Sequence, residues 1–312
     1  MAKIIGPGSL LVDITGFAPR LPVAGETVKG TTVRFGPGGK GNNQMTAAHR
    51  AGAEVQIIGR RGEDSLGQML KKHYQTEGMS EKYVEIVPEE ETASAFIEVD
   101  ESNAQNRIIV IFAANERVKR ESVLRAEEDF ADCDVVLTQF ETTVDAVIAS
   151  KELAKKYGKP IILNPAPYID VPTSVFDGID YVTPNETEAE QLTGIAVNSI
   201  ADCRSAAQKL LEMGVKNVII TLGVRGAFYT DGVREVTVPS IKVQAVETTG
   251  AGDAFNGGLA TAIAEGMPIE KALQFATCTA AISVTRLGSS PSMPYRSEIL
   301  ELMHKEFGAA TV

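Results

Sequence analysis

The chain has 312 residues, of which 44% are hydrophobic, and its 30 basic and 41 acidic side chains give a net charge of −11. This length is long for one compact domain and short for two large ones, and the composition allows a sizeable core. The acidic balance argues against a nucleic-acid groove, and no apolar run reaches the ~18 residues of a membrane helix.

Cysteines and histidines form no recognisable site. The three cysteines lie far apart without a C-x-x-C pair, and the three histidines are equally scattered. The start of the chain is interrupted by Pro7 and Asp13, unlike the apolar core of a secretory signal. We therefore expect a cytoplasmic protein without a disulfide framework or a thiolate zinc site.

Apolar runs typical of buried strands alternate with helix-like segments along most of the chain. The strand-like runs lie at 54–60, 134–140, 159–167, 180–185 and 217–223. They are continuous rather than alternating, which is typical of parallel strands covered by helices on both faces. Amphipathic segments such as DSLGQMLKKHYQTEG and TVDAVIASKELAKKYG supply those helices. The sequence therefore predicts an α/β fold built on a mostly parallel sheet.

Two regions, 14–36 and 92–113, break this pattern with short, roughly alternating runs. In the second region, two strand-like runs flank the turn-forming DESNAQN, which predicts antiparallel strands. Neither region can bury much alone, so we expect one small sheet, inserted twice into a main domain of 1–13, 37–91 and 114–312. A small sheet beside an α/β crevice suggests a lid over a substrate. Ordinary edge hairpins are the alternative.

The stretch FGPGGKGNNQ, residues 35–44, fits G-x-G-x-x-G but fails two tests for a phosphate loop. A Rossmann loop follows the first strand of the sheet, whereas a polar segment of the lid region precedes this one. A Walker loop needs Ser or Thr after its lysine, and Gly41 stands there. Small residues and the amides of Asn42 and Asn43 instead suit close approach of a polyhydroxyl ligand. We predict a sugar-binding loop.

A second glycine-rich stretch, TTGAGDAFNGG at 248–258, precedes a helix-like segment. The N–H groups of Gly250, Ala251 and Gly252 can converge on an anion at the start of that helix. Asp253 falls in the first turn, where a carboxylate beside an anion hole is what a kinase of small alcohols needs as its base. From Asp253 alone, a simple role at a helix start is the favoured alternative.

Several further stretches give the chain its resemblance to a known family. They are GSLLVD (8–13), GRRGEDSLG (59–67), TQFE (138–141), LNPAP (163–167), PNETE (184–188), TLGVRG (221–226) and AISVTRLGSSPSMP (281–294). In this order and spacing, with the two glycine-rich stretches, they resemble the ribokinase family of sugar kinases, the PfkB group. The resemblance covers nearly the whole chain and implies a three-layer, doubly wound, mostly parallel sheet with a small β-sheet lid.

The resemblance also implies ATP-dependent phosphorylation of the 5-hydroxyl of a furanose pentose, D-ribose, with Asp253 as general base. The anion hole would be formed by Gly250, Ala251 and Gly252. The implied sugar-binding residues are Leu11, Asp13, Gly39, Lys40, Asn43 and Glu141. The implied nucleotide-binding residues are Asn185, Thr221, Leu222, Gly223, Val224, Arg225, Gly226, Gly252 and Thr277.

Several of these assignments have a structural alternative. Lys40 and Glu141 fit surface charges equally well, Asn43 fits a helix cap, and Asp13 fits a turn at a strand end.

Two metal ions are implied in the same way. Glu188 would order water on the Mg²⁺ that accompanies ATP, although N-x-x-E alone is more often a helix start. The activating K⁺ would be held by oxygens, largely backbone carbonyls, of Glu247, Thr249, Ser283, Arg286, Gly288 and Ser292. Glu247 departs from the family's usual aspartate, and its extra methylene would weaken or reshape that site.

One departure from the family bears on the substrate. Where the family has a sugar-facing asparagine, this chain has Leu11, which cannot hydrogen-bond a hydroxyl. A buried hydroxyl without a partner costs roughly 1–3 kcal/mol, so 2-deoxy-D-ribose stands beside D-ribose as a candidate. Another sugar or nucleoside kinase of the family and a non-catalytic sugar-binding regulator are further alternatives. The expected partners are a sugar, ATP and a second copy paired through the lid sheets, with no nucleic acid and no membrane.

Overall fold

The computed structural model describes residues 1–103 and 105–308, so Ala104 of the predicted lid and 309–312 of the predicted main domain lie outside it. The strands are β1 (Lys3–Pro7), β2 (Leu11–Ala18), β3 (Thr32–Gly38), β4 (Glu54–Arg61), β5 (Val84–Ile86), β6 (Ala93–Asp100), β7 (Asn106–Ile111), β8 (Val135–Gln139), β9 (Ile161–Asn164), β10 (Tyr181–Val182), β11 (Asn217–Thr221), β12 (Ala227–Thr230) and β13 (Glu235–Val238). The α-helices are α1 (Lys40–Arg50), α2 (Ser65–Glu77), α3 (Arg120–Leu124), α4 (Glu127–Asp132), α5 (Val144–Tyr157), α6 (Glu186–Thr193), α7 (Ile200–Glu212), α8 (Ala251–Ala264), α9 (Ile269–Ser283) and α10 (Arg296–Phe307).

The larger sheet has the strand order β13-β12-β11-β10-β9-β8-β1-β4-β5. Neighbouring strands from β5 to β11 are parallel, whereas β12 and β13 are antiparallel additions at one edge. The five predicted strand runs correspond to β4, β8, β9, β10 and β11. The prediction of a mostly parallel sheet is therefore confirmed, and the antiparallel edge makes the sheet mixed.

Two hydrophobic cores lie on the two faces of this sheet, because successive side chains of a strand point to opposite sides. Ile4 of β1 packs into a core shared with α1, α2, α8, α9 and α10. Its neighbour Ile5 packs into a second core shared with α3 to α7. Each fully buried side chain of this size stabilises the fold by ~1.5–3 kcal/mol. The three-layer, doubly wound architecture is confirmed.

The smaller sheet is separate and has the order β3-β2-β6-β7. The pairs β2–β3 and β6–β7 are antiparallel, whereas β2 and β6 pair in parallel and so join the two pieces of chain. The edge-hairpin alternative is therefore wrong. The strands extend beyond the predicted regions, since β2 begins at Leu11 and β3 ends at Gly38.

Two expectations from composition concern membranes and disulfides. In the part of the chain that the structure describes, no helix combines the length and apolar character needed to cross a membrane. Cys133, Cys203 and Cys278 are all free and buried, in keeping with the prediction of no disulfide framework.

The carboxyl edge of the main sheet gathers the segments singled out in the sequence. There β1 leads into residues 8–13, β8 leads to Glu141, β9 ends at Asn164, and β11 ends at Thr221. Open α/β sheets bind their ligands at this edge. The fold therefore places the candidate site between the carboxyl ends of the parallel strands and the root of the small sheet.

Candidate active site

Asp13, on β2, lies flat against the backbone of β3. A Cβ on Gly38 would come within 2.5 Å of both Asp13 carboxylate oxygens, so glycine is required there. The Ser289 hydroxyl donates to Asp13 Oδ2 over 2.9 Å. Burial, together with the charges of Glu141 and Asp253, raises the pKa of Asp13 to about 6, although the Ser289 hydrogen bond lowers it. The carboxylate is therefore fixed in place and ionised at neutral pH, as an acceptor for hydroxyls must be.

Leu11 lies on the same face of the small sheet as Asp13, because residues two apart on a strand share a face. Its side chain is 2% exposed and packs with Ala93 and Ala95 of β6. These two alanines pair in register with Leu11 and Asp13. An apolar surface thus lies directly beside the Asp13 carboxylate.

Helix α1 begins directly after Gly39, whose φ of 91° lies in the left-handed region that favours glycine. The Lys40 N–H donates to Glu141 Oε2 over 2.8 Å, and the Ser9 hydroxyl donates to the same oxygen over 2.7 Å. Burial raises the pKa of Glu141, and the charge of Lys40 opposes that rise. The Glu141 side chain therefore links the end of β8 to the start of α1 by hydrogen bonds and is not a surface charge.

Two glycines of FGPGGKGNNQ, Gly39 and Gly41, are required by the protein's own packing. A Cβ on Gly41 would lie 2.4 Å from the Cα of Gly8, and a Cβ on Gly39 would lie 2.8 Å from the Ser9 carbonyl oxygen. The close approach predicted for a ligand is here made by the segment that leaves β1. The loop would therefore contact a ligand through side chains, such as that of Lys40, rather than through its glycines.

Asp253 lies in the first turn of α8 and is 5% exposed. Its Oδ2 accepts from Asn43 Nδ2 over 2.9 Å, and its Oδ1 accepts from Gln44 Nε2 over 3.1 Å. Asn43 is not a helix cap, because its own Oδ1 accepts from the Ser290 hydroxyl over 2.6 Å. Asp253 likewise does more than begin a helix. The two glycine-rich stretches therefore meet at this carboxylate, although Asn43 and Asp253 are 210 residues apart in sequence.

The start of α8 is open on the side next to Asp253. Gly250 is the N-cap with a φ of 81°, and the Ala251 N–H donates to the Thr248 carbonyl over 3.2 Å. The Gly252 N–H has no carbonyl partner in the described ranges, and a Cβ on Gly252 would meet nothing within 4 Å. Free amides at a helix start with open space before them are suited to an anion.

Lys40 places positive charge among three carboxylates. Burial lowers the pKa of its ammonium group, but the charges of Asp253, Glu141 and Glu188 outweigh burial, so the pKa is raised. Lys40 therefore stays charged within the site, and the surface-charge alternative does not describe it.

Two predicted ATP- and Mg²⁺-site residues form the start of α6. Asn185 Oδ1 accepts the Glu188 N–H over 2.8 Å, and Glu188 Oε2 accepts the Asn185 N–H over 2.9 Å. This capping box is the helix-start alternative for both residues, and it leaves Glu188 Oε1 uncommitted. Burial raises the pKa of Glu188. Thr221 lies alongside, in an isolated parallel bridge with Asn185.

The remaining residues predicted to bind the nucleotide differ in how far their side chains are buried or already engaged by the protein. Leu222 is 1% exposed in the core, and the Arg225 guanidinium donates to the Val197 carbonyl and pairs with Glu186. These two residues therefore present backbone rather than side chain to a ligand. The exposed turn is completed by Gly223, Val224 and Gly226. The buried Thr277 Oγ1 has no hydrogen-bond partner among the described residues, as expected of a hydroxyl that bonds to a ligand.

The residues predicted for K⁺ lie on two adjacent loops. Glu247 Oε2 accepts the Gly288 N–H over 2.9 Å, and the Glu247 N–H donates to the Val284 carbonyl over 3.2 Å. The Arg286 guanidinium pairs with Glu298, leaving only its backbone for an ion. Of the other predicted ligands, Thr249 lies on the first of these loops, Ser292 lies on the second, and Ser283 precedes the second as the last residue of α9. No group of three or more His, Cys, Asp or Glu side chains able to hold a metal occurs in residues 1–103 and 105–308.

Sequence reasoning missed several polar residues of the site. Gln44 and Ser290 bond to Asp253 and Asn43 respectively, and Ser289 bonds to Asp13. Gln44 and the two serines lie inside stretches quoted for the family resemblance, so a signal was present. What the sequence lacks is the pairing between distant segments that gives these side chains a partner.

Known proteins match nearly the whole chain. A family model described as pfkB family carbohydrate kinase matches residues 1–296. A ribokinase of Haemophilus influenzae is 38% identical over 296 residues, covering 95% of this chain and 96% of the relative. A deoxyribokinase of Salmonella typhi is 36% identical over 288 residues, covering 92% and 94%. A solved structure of Arabidopsis thaliana ribokinase complexed with ribose and ATP matches with a TM-score of 0.88 and 32% identity, covering 97% and 99%.

Proposed function

This chain belongs to the pfkB family of carbohydrate kinases, phosphotransferases with an alcohol acceptor, and we propose that it transfers the γ-phosphoryl group of ATP to the 5-hydroxyl of D-ribose. The observation that carries the proposal is Asp253, a buried carboxylate held by two amides beside the open start of α8. Phosphoryl transfer to a hydroxyl requires such a base next to an anion site.

In the proposed reaction, Asp253 accepts the proton of the 5-hydroxyl while that oxygen bonds to the γ-phosphorus. The bond between the γ-phosphorus and the β–γ bridging oxygen breaks, and ADP leaves with the electron pair. The backbone amides of Gly250, Ala251 and Gly252 are assigned to the phosphoryl oxygens as negative charge redistributes, and the Ala251 N–H must leave the Thr248 carbonyl to take part. The other sugar hydroxyls are assigned to Asp13, Gly39, Lys40, Asn43 and Glu141.

ATP is assigned to the ends of β10 and β11, with the nucleotide residues predicted above. The hydroxyl of buried Thr277 on α9, which has no partner among the described residues, is a further candidate contact for the nucleotide. When bound, Mg²⁺ neutralises phosphate charge. The uncommitted Glu188 Oε1 is suited to hold one of the water molecules that this ion usually keeps.

K⁺ is assigned to the two loops joined by Glu247 and Gly288. Hydroxyl, carbonyl and carboxylate oxygens are the hard donors that such a cation takes. One Glu247 oxygen is engaged by the Gly288 N–H, so only the other is free for the ion. We expect turnover to be faster in K⁺ than in Na⁺, and Glu247→Asp to change that ratio. An equal rate in both ions for both proteins would remove this assignment.

The decisive experiment replaces the base. Asp253→Asn keeps size and hydrogen bonding but cannot take the proton, so kcat should fall roughly 10²–10⁴-fold. Sugar binding, measured by calorimetry, should persist. Asp202→Asn, in the first turn of the remote helix α7, is the matched control and should keep wild-type turnover. Near wild-type kcat in Asp253→Asn refutes the mechanism, and a wild type that binds sugar without turnover favours the regulator alternative.

A second candidate substrate is 2-deoxy-D-ribose, and the position of Leu11 favours it. An apolar surface formed by Leu11, Ala93 and Ala95 lies beside Asp13. The side chains of this surface offer no hydrogen-bond partner to a sugar hydroxyl. A sugar without that hydroxyl avoids the cost of an unpaired polar group. A ribokinase and a deoxyribokinase are nearly equally identical to this chain, at 38% and 36%. Overall sequence similarity therefore does not distinguish the two candidate substrates.

Kinetics with both sugars decide between the candidates. A wild-type ribose preference above tenfold in kcat/KM removes 2-deoxyribose. If Leu11 faces the sugar, Leu11→Asn should shift the ratio towards ribose by about 10- to 100-fold, the equivalent of ~1–3 kcal/mol. Leu11→Met, which keeps an apolar side chain of similar volume, should leave the ratio unchanged.

We further propose that regions 14–36 and 92–113 act as the lid and that a second copy covers their outer face. Phe35, Ile14, Phe96 and Ile109 form one cross-strand row on that face. Phe35, Phe96 and Ile109 are 53%, 44% and 67% exposed. A contiguous apolar row of this kind marks an interaction surface.

Sedimentation tests the dimer. The wild type should sediment at twice the monomer mass, and Phe96→Glu should sediment as a monomer because a charge is buried at the interface. Val233→Glu, at a remote position that is 93% exposed, is the control and should remain dimeric. A wild-type monomer with an intact lid would exclude this interface.

A cytoplasmic location belongs to the same proposal. The three buried free cysteines are in keeping with a reducing compartment, where disulfides are rare.

A further inference from the structure

Gln44 is a buried amide whose two hydrogens are both engaged. Its Nε2 donates to Asp253 Oδ1 over 3.1 Å and to Asn164 Oδ1 over 3.0 Å. The side chain is 1% exposed. Resting on the proposed function, we propose that Gln44 is a positioning residue for the base, which holds the Asp253 carboxylate in the orientation that meets the sugar hydroxyl.

The donor is itself anchored through a closed polar ring. Asn164, at the end of β9, donates its Nδ2 to the Thr183 carbonyl over 3.0 Å. The Thr183 hydroxyl donates to Asn256 Oδ1 over 2.6 Å, and Asn256 Nδ2 donates to the Gly252 carbonyl over 2.8 Å. Hydrogen bonds therefore connect Asp253 of α8, through Gln44 of α1 and the residues at the ends of β9 and β10, to Asn256, one turn further along α8.

The backbone of Gln44 is fixed as well. A Cβ on Gly257 would lie 2.5 Å from the Gln44 carbonyl oxygen, so α1 and α8 are in direct backbone contact there. With main chain and side chain both held, Gln44 cannot follow the carboxylate if it rotates. Because Asn43 holds the other oxygen, the plane of the Asp253 carboxylate is set from both sides.

Packing alone does not account for a glutamine at this position. The Gln44 Oε1 is buried without a hydrogen-bond partner in the described part of the chain. Such an atom loses its hydration and gains nothing, and a methionine of similar volume would avoid that loss. The Oε1 thus adds nothing to stability, and the contribution of this side chain beyond packing is the pair of hydrogen bonds that it donates to Asp253 and Asn164.

The test replaces Gln44 by Met and measures folding and kinetics together. We expect a lower unfolding stability, because the buried Asp253 Oδ1 and Asn164 Oδ1 lose a donor, and, under conditions where both proteins are folded, a kcat lower by roughly tenfold to a hundredfold with an unchanged KM for ATP. A loss confined to kcat, with the KM for ATP unmoved, separates misorientation of the base from general damage to the fold. Asn164→Ala, which frees the Gln44 amide, should move kcat in the same direction by a smaller factor.

Gln56→Met is the matched control. Gln56 also has a buried amide oxygen without a partner among the described residues, but it lies on β4, away from the site. Its kcat and its KM for ATP should equal those of the wild type. An active wild type together with an unaltered kcat in Gln44→Met overturns the inference alone. A wild type that phosphorylates no sugar overturns the proposed function and the inference together.

Discussion

The two glycine-rich stretches look alike in sequence but use their glycines in opposite ways. In FGPGGKGNNQ, a methyl group on Gly38, Gly39 or Gly41 would strike the protein's own atoms within 3 Å. In TTGAGDAFNGG, a methyl group on Gly252 would meet nothing within 4 Å. The glycines of the first stretch therefore allow close packing against other segments of the protein. Gly252 of the second stretch instead leaves open space at the start of α8, where a ligand could approach.

This difference shows that glycine content does not itself identify a phosphate loop. Gly257, in the second stretch, also serves packing, because a Cβ there would lie 2.5 Å from the Ala47 Cβ. Within a single motif, Gly252 thus leaves open space, whereas Gly257 allows α8 to pack closely against α1. Which residue does which depends on the element packed against it, and substitutions can separate the two uses.

Gly252→Ala should have the largest effect, and on activity alone. The new methyl would occupy the open space at the start of α8, so kcat should fall roughly 10²–10³-fold through loss of amide contact with the phosphoryl group. Stability should be unchanged or up to ~1 kcal/mol higher, because alanine favours helix. Steady-state kinetics and urea unfolding measure the two effects. Unfolding at markedly lower urea would show that this glycine serves packing after all.

Gly41→Ala should have the reverse profile. The added methyl would lie 2.4 Å from the Gly8 Cα and 2.6 Å from the Ser9 nitrogen, both backbone atoms that cannot turn aside. We expect the free energy of unfolding to fall by ~1–3 kcal/mol or more. Gly36→Ala is the control in the same stretch, since a Cβ there meets nothing within 4 Å, and its stability should stay within about 0.5 kcal/mol of wild type. Equal stability of both variants would contradict the packing role.

The smallest effect concerns Asp13, which rests on Gly38 of the first stretch. Burial, with the charges of Glu141, Asp253 and Glu247, raises the Asp13 pKa from 3.8 to about 6, against the Ser289 bond. Below about pH 6 the carboxyl gains a proton, so the KM for the sugar should rise about tenfold per pH unit while the KM for ATP stays level. A sugar KM that is flat from pH 7 to pH 5 would be inconsistent with this role.

Folding stability should respond to Asp13 with the opposite sign. A raised carboxyl pKa means that the folded state binds the proton more tightly than the unfolded state between pH 3.8 and about 6. The contribution of this group to stability therefore increases as pH falls through that window and is lost as pH rises through the folded pKa. Urea unfolding of the wild type and Asp13→Asn at pH 5 and pH 7 isolates this contribution.

Local pattern predicted the central strands because each is a continuous apolar run. It did not predict the parallel pairing of β2 with β6, which joins segments about eighty residues apart through backbone bonds that any side chains allow. The antiparallel edge of β12 and β13 was missed for a related reason. Edge strands such as β13, with its burial alternating between exposed and covered positions, lack the continuous run that marks a central strand.

The site divides in the same way. Asp253 and Asn43 could be proposed from residue type, motif and family resemblance, and they lie in contact. Gln44 and Ser289 could not be proposed, because a glutamine in a helix or a serine in a loop acquires a role only through a partner from another element. The reason for Gly39 and Gly41 was also hidden, since it resides in the segment leaving β1.

The small sheet joins the rest of the molecule by four chain crossings, and the strand register puts them in one row. Leu11 is opposite Gly38 and Ala93, and Ser94 is opposite Ile111. A body attached along one edge at four points has a single soft degree of freedom, rotation about that edge. Leu11 lies on this axis and is displaced least by such a rotation, whereas the outer ends of the strands travel furthest. The apolar contact that the proposed function assigns to Leu11 is thus the one least sensitive to how far the sheet has turned.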